Sequence, residues 1–270
     1  MLRARLATAA VAIPALLALI FLAPPWGWGV LVVVVALLGL LEYLWLAFSE
    51  RIGERALGVG LGAVVIAAAV SATVPGWRVT AALSLLLAVG LIYVVLWRSD
   101  FERGLADFGL MVVGVLYTGF LLPHFYWLRN LPDGAQWVTF IIAIGMGGDS
   151  GGYFVGHALG RHKLIPRVSP GKTVEGAIGI ILISLLVGAA GKLILFPTRG
   201  WGEMLALSLA MAVVGQLGDL AESVMKRTFG AKESGWIFPG HGGVLDRIDS
   251  LLFPLLLVYY YVGWRSGELL

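Results

Sequence analysis

Long apolar stretches, each about the length of a membrane-spanning helix, occupy most of this 270-residue sequence. Hydrophobic residues make up 59% of the chain and charged residues only 13%, against about 25% charged residues in an ordinary soluble domain. A helix needs about 20 apolar residues to cross the hydrocarbon core of a bilayer, which leaves room for about nine spans and short connections. We therefore predict an all-α, polytopic integral membrane protein that forms a single membrane domain over residues 1–270.

Polar or proline-containing breaks divide the apolar stretches into nine predicted spans. The first span follows Arg3 and Arg5, as a signal peptide would, but it is long and another span follows at once, so we predict that it is retained. We place the spans at Ala7–Ala23, Gly29–Phe48, Ala56–Val74, Thr80–Trp97, Leu105–Leu122, Gln136–Leu159, Val174–Phe196, Met204–Ser223 and Ser250–Trp264.

The basic residues predict the orientation of these spans. If the N-terminus is cytoplasmic, 14 of the 19 Lys and Arg residues fall on the cytoplasmic side and 5 on the other side. Cytoplasmic loops are enriched in Lys and Arg, so we predict this orientation. The odd number of spans then puts the C-terminus outside. Trp26, Trp77 and Trp201 lie in the outer connections, as expected for an interfacial aromatic belt.

Ionisable residues are unevenly distributed between the two halves of the chain. The first half has few ionisable residues inside its spans, and we predict that residues 1–130 are mainly scaffold. We expect Glu42 to pair locally or to reach the interface, and Ser49–Arg55 and Arg98–Asp107 to be solvated connections. We predict that residues 136–264 carry the catalytic helices and the cytoplasmic loops.

An acidic residue lies deep inside the sixth predicted span. Asp149 follows about ten apolar residues, so at 1.5 Å per residue it lies about 15–20 Å from the outer interface. A carboxylate at that depth costs about 3 kcal/mol on insertion scales, so it should face a polar cavity or a basic partner. The glycines of Gly145–Gly152 allow a close helix approach or a broken helix.

The connection after this span, Arg161–Gly176, is rich in basic residues. These residues could simply enforce the orientation. Alternatively, Ser169–Thr173 leads into a helix, whose first N–H groups could face an anion beside Lys172. The glycine spacing is not that of a Walker A loop. His157 and His162 lack the spacing of metal ligands.

Acidic residues recur near the end of the eighth predicted span and beyond it. Four polar residues there would share one helix face, at spacings of three, four and seven: Asp219, Glu222, Ser223 and Lys226. Asp246 and Asp249 lie one turn apart if their segment is helical. A local ion pair between Glu222 and Lys226 is the alternative interpretation. Several carboxylates without Cys or clustered His favour Mg²⁺, which proteins typically bind together with substrate phosphates. The pattern therefore indicates phosphoryl or nucleotidyl transfer to a lipid.

Several of these segments closely resemble the signature of the phosphatidate cytidylyltransferase (CDP-diacylglycerol synthase) family. The long C-terminal part of the signature matches Ser223–Arg227, Lys232–Gly235 and Pro239–Asp249. Upstream segments match in the same order, at Asp149–Tyr153, Ser169–Gly176 and Gly218–Ser223. Glu233 stands where the family usually has Asp, and Gly171 stands where a second basic residue is common. The resemblance covers Gly145–Phe253 by motif and the whole chain by its pattern of spans.

This resemblance implies an enzyme that condenses CTP with phosphatidic acid to give CDP-diacylglycerol and pyrophosphate. It implies Mg²⁺ as the cofactor, with K⁺ as a candidate second cation. The expected partners are CTP, phosphatidic acid and membrane lipids, with no nucleic acid, and a homodimer is the assembly considered. The expected location is the inner membrane of a bacterium, with the active site on the cytoplasmic side.

The resemblance and the charge pattern together assign a role to each candidate residue. We expect metal coordination by Asp219, Asp246, Glu222 and Asp249. We expect phosphate binding by Lys172, Lys226, Arg227, Lys232, Arg247, Gly242 and Gly243, with Gly240–Gly243 closing over CTP. The residues expected to act in catalysis are Asp219, Asp246, Lys226 and Arg247. Support of the polar cavity is expected from Asp149, Ser223 and His241.

Other functions remain as alternatives. A CTP-dependent polyprenol or phytol kinase would also combine CTP with a lipid on many helices. An ion-coupled transporter could use Asp149 and Asp219, but the acidic residues cluster toward one leaflet and no inverted repeat is visible. A CDP-alcohol phosphotransferase would carry an Asp-Gly-x-x-Ala-Arg run, which is absent. An intramembrane aspartyl protease would leave the basic, glycine-rich loop unexplained.

Overall fold

The computed structural model describes residues 13–73, 75–235 and 242–268. Within these residues the chain forms ten α-helices, one π-helical segment and one β-hairpin. The helices are α1 (Ile13–Leu22), α2 (Pro25–Ala47), α3 (Ile52–Val70), α4 (Trp77–Trp97), α5 (Phe101–Gly114), α6 (His124–Arg129), α7 (Gly134–Leu159), α8 (Val174–Ile194), α9 (Trp201–Thr228) and α10 (Leu245–Ser266). The π-helical segment is Val115–Phe120, and the strands are β1 (Lys163–Ile165) and β2 (Ser169–Thr173).

Most of these helices are long and apolar enough to cross a membrane. Seven segments of the described chain meet that requirement: Pro25–Ala47, Ile52–Val70, Trp77–Trp97, Phe101–Arg129, Gly134–Leu159, Val174–Ile194 and Trp201–Thr228. The predicted polytopic, α-helical membrane architecture is therefore confirmed. The first and ninth predicted spans correspond to α1 and α10, which are not among these seven. The first six residues of the first predicted span, together with Arg3 and Arg5, lie outside the described residues.

Two helix boundaries differ from the prediction in a way that matters for the site. α9 continues to Thr228, five residues beyond the predicted end, so Lys226 lies on the helix. It ends beside Gly230, whose φ of 69° is a left-handed conformation that glycine adopts readily at a helix end. α10 begins at Leu245, so Asp246 and Asp249 are both helical, one turn apart. A predicted span covers only the apolar part of a helix. The polar residues at the helix ends lie outside that part, so both helices are longer than the predicted spans.

A β-hairpin stands where the sequence predicts only a basic connection. β1 and β2 pair antiparallel, with Lys163 opposite Thr173. The Thr173 hydroxyl accepts the N–H of Gly176 at 3.1 Å and thereby caps α8. The N–H of Val174 donates to the carbonyl of His162 at 2.9 Å. These two N–H groups at the start of α8 are therefore hydrogen-bonded within the protein. The alternative that they face an anion is wrong for both.

Glycines let α7 pack on α8, and α9 on α10, with their backbones nearly in contact. A Cβ added at Gly151 of α7 would lie 2.7 Å from the carbonyl oxygen of Gly179 on α8. A Cβ at Gly218 of α9 would lie 2.5 Å from the carbonyl oxygen of Asp249 on α10. Small residues are the usual means of close helix packing in membranes, where lipid is as apolar as the helix surface. This packing places Asp219 directly beside the helix turn that carries Asp249.

Ion pairs join α3, α4 and α5 at the ends that we predicted to be solvated connections. Arg98 donates to Glu54 at 2.7 Å, and Asp107 accepts hydrogen bonds from both Arg51 and Arg98. Glu54 and Asp107 are both buried. The prediction of solvated loops is wrong here because α3 begins at Ile52 and α5 at Phe101, which brings these charged residues onto packed helices.

Glu42 of α2 caps the start of α10, about 200 residues further along the chain. Its carboxylate accepts the N–H groups of Val244 at 2.8 Å and Leu245 at 3.0 Å, and the hydroxyl of Ser234 at 3.2 Å. The side chain is only 5% exposed, and Val244, the N-cap residue, provides no side-chain cap of its own. A carboxylate at a helix N-terminus satisfies N–H groups and opposes the positive end of the helix dipole. The prediction that Glu42 pairs locally is therefore wrong.

This cap predicts a stability cost when Glu42 is replaced. Glu42→Ala leaves the buried N–H groups of Val244 and Leu245 without their acceptor, so we expect it to lower the free energy of unfolding by about 3 kcal/mol. Amide hydrogen exchange at Val244 and Leu245 should also become faster. Glu42→Gln keeps one acceptor oxygen and should lose less. The measurements are denaturation in detergent and hydrogen exchange.

Glu50→Ala is the matched control, because Glu50 is exposed in the turn that follows the same helix. A surface substitution of this kind should change stability by less than about 0.5 kcal/mol. If Glu42→Ala and Glu50→Ala have the same stability and the same exchange rates at the start of α10, the capping role of Glu42 is refuted.

Candidate functional site

A cavity of about 490 Å³ lies between α7, α8, α9 and the hairpin; we call it the polar cavity. Its charged wall residues are Asp149 from α7, Lys172 from β2 and Asp219 from α9. Gly152, Gly156 and Gly176 also line it. A Cβ added at Gly152 would lie 2.7 Å from the Ile180 side chain of α8, so these glycines allow α7 and α8 to pack closely beside the cavity. The structure therefore brings three of the predicted site residues, from three separate segments, into one space.

Lys172 and Asp219 form an ion pair across the polar cavity. The Lys172 Nζ lies 2.6 Å from a carboxylate oxygen of Asp219, and both side chains are about one quarter exposed. The sequence predicts a phosphate for Lys172 and a metal for Asp219, and it gives no sign that they meet. Partial exposure keeps both groups accessible from the cavity. An entering phosphate and cation could therefore each replace one partner of the pair.

Three further carboxylates, Asp149, Glu222 and Asp249, lie near the Asp219 member of this ion pair. Asp249 of α10 lies within electrostatic range of Asp149, Asp219 and Glu222. Asp149 accepts the hydroxyl of Ser250 at 3.2 Å, so α7 and α10 are joined at the same place. Like charges at this spacing repel one another and are stabilised by cations. The cluster therefore concentrates negative charge next to the polar cavity.

Lys226 links two of the predicted metal ligands to each other. Its Nζ lies 2.5 Å from Glu222, one turn earlier on α9, and 2.5 Å from Asp246 on α10. The local pair between Glu222 and Lys226, which the sequence left open, is therefore present. The second Asp246 oxygen accepts the N–H and the hydroxyl of Ser234, both at 2.9 Å, and the N–H of Gly243 at 2.8 Å. Asp246 thus holds together Lys226, Ser234 and the start of α10.

These residues can be compared with the requirements of Mg²⁺. No group of three or more His, Asp or Glu residues in the described chain is already arranged as a metal site. Mg²⁺ typically takes only one or two carboxylates, with substrate phosphates and water completing its octahedral shell. Asp219 faces the polar cavity and lies near Asp249, whereas Asp246 is engaged by four donor atoms. A site of that kind needs only one or two carboxylates, and Asp219, which lines the polar cavity, is the carboxylate available to provide one.

Other predicted residues lie away from the polar cavity. Arg227 is exposed and donates to the carbonyl oxygens of Val168 at 3.3 Å and Ala231 at 3.1 Å, so it ties the hairpin turn to the end of α9. Lys232 is exposed in the following loop. Neither of them lines the polar cavity.

The remaining predicted residues lie on α9 and in the glycine-rich loop before α10. Ser223 is buried on α9. Gly242 has a φ of 76°, and a side chain there would collide with the Asp246 carboxylate, so only glycine suits this position. His241 and Gly240 lie outside the described residues, and so does the predicted closure of the loop over CTP.

A second cavity, of about 400 Å³, lies on the other side of Asp149; we call it the apolar cavity. Its walls come from α1, α2, α7 and α10 and from the start of α6, and most of them are apolar. Its polar wall residues are Asp149, Asp246 and Arg247. Asp149 therefore lines both cavities, and the two cavities adjoin each other at this residue.

Sequence reasoning missed two residues that shape the site. Glu42 looked like an isolated acidic residue in the scaffold, and nothing local indicates that it caps α10. Ser234 is part of a recognised motif segment, Lys232–Gly235, and its hydroxyl contacts both Glu42 and Asp246. The motif segment could have identified Ser234 as a site residue. The role of Glu42 can be seen only from the packing of α2 against α10.

Known proteins resemble this chain over most of its length. A model of the cytidylyltransferase family matches residues 3–264. The phosphatidate cytidylyltransferase of Bacillus subtilis is 39% identical over 177 residues, which are 65% of each chain. That of Staphylococcus epidermidis is 41% identical over 166 residues, 62% of each chain. These two matches therefore span slightly less than two thirds of the relatives' length.

A longer match extends the similarity. The phosphatidate cytidylyltransferase of Staphylococcus haemolyticus is 37% identical over 227 residues, which are 83% of this chain and 85% of that protein. The family model begins just before the predicted first span, stops two residues before the end of α10, and includes every residue of the two cavities. The chain belongs to the cytidylyltransferase family.

Proposed function

We propose that this protein transfers the cytidylyl group of CTP to phosphatidic acid and releases CDP-diacylglycerol and pyrophosphate. The observation that carries the proposal is the meeting of a polar and an apolar cavity at Asp149. A reaction between a charged nucleotide and a lipid needs one compartment for each substrate, with the reacting groups at their junction. The names of the three relatives described above support the same activity.

The reaction brings two anions together, and the cations of the site suit that task. A phosphate oxygen of phosphatidate attacks the α-phosphorus of CTP, the bond from the α-phosphorus to the bridging oxygen breaks, and pyrophosphate leaves with that oxygen. The nucleophile is already ionised, so no residue has to remove a proton from it. Lys172 would bind the triphosphate in the polar cavity, and Arg247 would bind the lipid phosphate. Fixed positive charges beside the transferred group stabilise the developing charge without reorganisation.

We further propose that Asp219 and Asp249 hold Mg²⁺, with K⁺ as a candidate second cation. Bound Mg²⁺ would screen the phosphates and stabilise the charge on pyrophosphate. Glu222 and Asp246 would then act through Lys226, which they hold beside the cluster. This differs from the expectation from the sequence, which made Asp246 a primary metal ligand, because Asp246 already accepts four hydrogen bonds or ion-pair contacts.

The membrane setting completes the proposal. We propose nine spans, formed by α1 to α4, the segment Phe101–Arg129, and α7 to α10. The N-terminus would be cytoplasmic and the C-terminus outside, in the inner membrane of a bacterium. The hairpin and the polar cavity would then face cytoplasmic CTP. Residues 136–264 would provide the catalytic groups, with Glu42 as a contribution from the scaffold, and a homodimer is the assembly proposed.

The arrangement of spans can be tested with reporters. A C-terminal fusion should give active alkaline phosphatase and a non-fluorescent green fluorescent protein, because nine spans place this end outside. The same reporters fused after Glu50, between α2 and α3, should give the opposite pattern. A fluorescent C-terminal fusion would contradict either the number of spans or the orientation.

The metal role of Asp219 can be separated from structural roles. Asp219→Asn removes one charge with little change in shape, so we expect turnover at saturating Mg²⁺ to fall by about 100-fold or more while thermal stability stays close to wild type. Asp246→Asn should lower both turnover and stability, because Asp246 also holds Lys226, Ser234 and Gly243. The measurements are initial rates across a Mg²⁺ titration and denaturation in detergent.

Asp133→Asn is the matched control for these variants. Asp133 is exposed, lies at the start of α7 far from the polar cavity, and has a φ of 55°, which asparagine tolerates well. It should leave the rate and the Mg²⁺ dependence unchanged. Near-wild-type turnover of Asp219→Asn would remove Asp219 from the proposed metal site.

Isotopic labelling distinguishes cytidylyl transfer from a CTP-dependent lipid kinase. Purified protein receives phosphatidic acid, Mg²⁺ and CTP labelled at either the α or the γ position. If phosphatidate attacks the α-phosphorus, the α label enters the chloroform-soluble product and the γ label appears in aqueous pyrophosphate. A kinase would transfer only the γ-phosphate to a lipid hydroxyl. Label from the γ position in the lipid, with none from the α position, would overturn the proposed function.

A further inference from the structure

One face of α2 forms a wall of the apolar cavity. Four α2 residues line it at spacings of three, four and seven, which places them on one side of the helix: Trp28, Leu31, Val32 and Val35. Ile142 and Met146 of α7 lie on another side. Met146 is 51% exposed, so within the described residues the cavity is open beside it. The cavity is thus an apolar slot that can be entered from the side of the bundle.

The polar groups of this cavity lie at one end only. Asp149, Asp246 and Arg247 belong to the central part of α7 and the first turn of α10. At the other end, the indole N–H of Trp28 donates to the carbonyl oxygen of Phe125 at 3.0 Å, so this polar group is already satisfied. An apolar cavity without free polar partners does not hold ordered water, and its walls offer nothing to a nucleotide base. A long hydrocarbon with a charge at one end matches this distribution.

The direction of the slot agrees with a lipid from the membrane leaflet next to the polar cavity. Seven residues separate Trp28 from Val35 along α2, a rise of about 10 Å, and the charged end lies beyond Val35. In the proposed orientation the charged end is nearer the cytoplasm and Trp28 is nearer the outer side. An acyl chain in the slot would therefore point from the cytoplasmic leaflet toward the bilayer centre, as it does in the membrane.

From these observations we propose that the apolar cavity binds one acyl chain of phosphatidate, with the lipid phosphate at Arg247, and that Val35 and Met146 determine which chains fit. The proposal rests on the proposed function and adds the site of substrate selection. Lipid is as apolar as the slot, so moving a chain from the bilayer into it gains little from the hydrophobic effect. The slot would therefore select by shape and would hold the phosphate in position for attack on CTP.

The test compares two substitutions on neighbouring residues of α2. Val35→Phe fills the slot, whereas Val34→Phe adds the same volume to a residue that is 47% exposed and absent from the cavity wall. Each protein is assayed with dioleoyl phosphatidate and with dihexanoyl phosphatidate, whose chains are too short to fill the slot. We expect Val35→Phe to lower kcat/KM for the dioleoyl substrate about tenfold, the size of a small misfit in an apolar pocket. The loss with the dihexanoyl substrate should be smaller, because a short chain leaves the deep part of the slot empty, and both values for Val34→Phe should stay within about twofold of wild type.

The outcomes separate this proposal from the proposed function. An unchanged dioleoyl value for Val35→Phe, or an equal loss with both substrates, would overturn the acyl-chain site while leaving cytidylyl transfer in place. A wild-type protein that forms no CDP-lipid from either substrate would contradict the proposed function.

A second measurement does not depend on turnover. Phosphatidate with a photoreactive diazirine in one acyl chain should label the α2 peptide around Leu31–Val35 and the α7 peptide around Met146, and Val35→Phe should reduce that labelling. Labelling confined to outward-facing residues such as Leu87 of α4, which is 51% exposed, would overturn the acyl-chain site even if the enzyme is active.

Discussion

Charges placed inside an apolar bundle need partners, and the rest of this structure depends on how those partners are supplied. A carboxylate in a membrane-spanning segment costs free energy unless a cation or hydrogen-bond donor compensates it. Here Lys172 reaches Asp219, and Lys226 reaches Glu222 and Asp246. Each pair except the one within α9 joins different helices or strands. The pairs therefore stabilise the charges and fix the relative positions of the hairpin, α9 and α10.

Close helix packing makes this arrangement possible. Gly218 brings α9 against the Asp249 turn of α10, and Gly151 brings α7 against Gly179 of α8. Any side chain at Gly218 or Gly151 would push the helices apart and separate the carboxylates. Glu42 adds a constraint from the first half of the chain, because it holds the start of α10 through Val244 and Leu245. A helix that looks like scaffold in the sequence thus positions the residues proposed for catalysis.

The two cavities give this packing a functional meaning. Asp149 separates a compartment with charged walls from one with apolar walls, and a nucleotide and a lipid have opposite requirements for their surroundings. Holding two reactants at a fixed junction lowers the entropic cost of their encounter. Under the proposed function, the same geometry that compensates buried charge also brings the two phosphates together.

The sequence by itself determined the α-helical membrane architecture, the placement of Asp219 and Glu222 one turn apart on a single helix, and the family, because apolar length, helical spacing and motif order are local properties of a chain. Only the tertiary structure decided which charges meet: the Lys172–Asp219 pair, the four donors on Asp246 and the cap that Glu42 provides for α10. It also decided that a hairpin precedes α8 and that a second, apolar cavity adjoins Asp149. These features depend on contacts between residues far apart in the sequence, and a local pattern carries no information about which helices become neighbours.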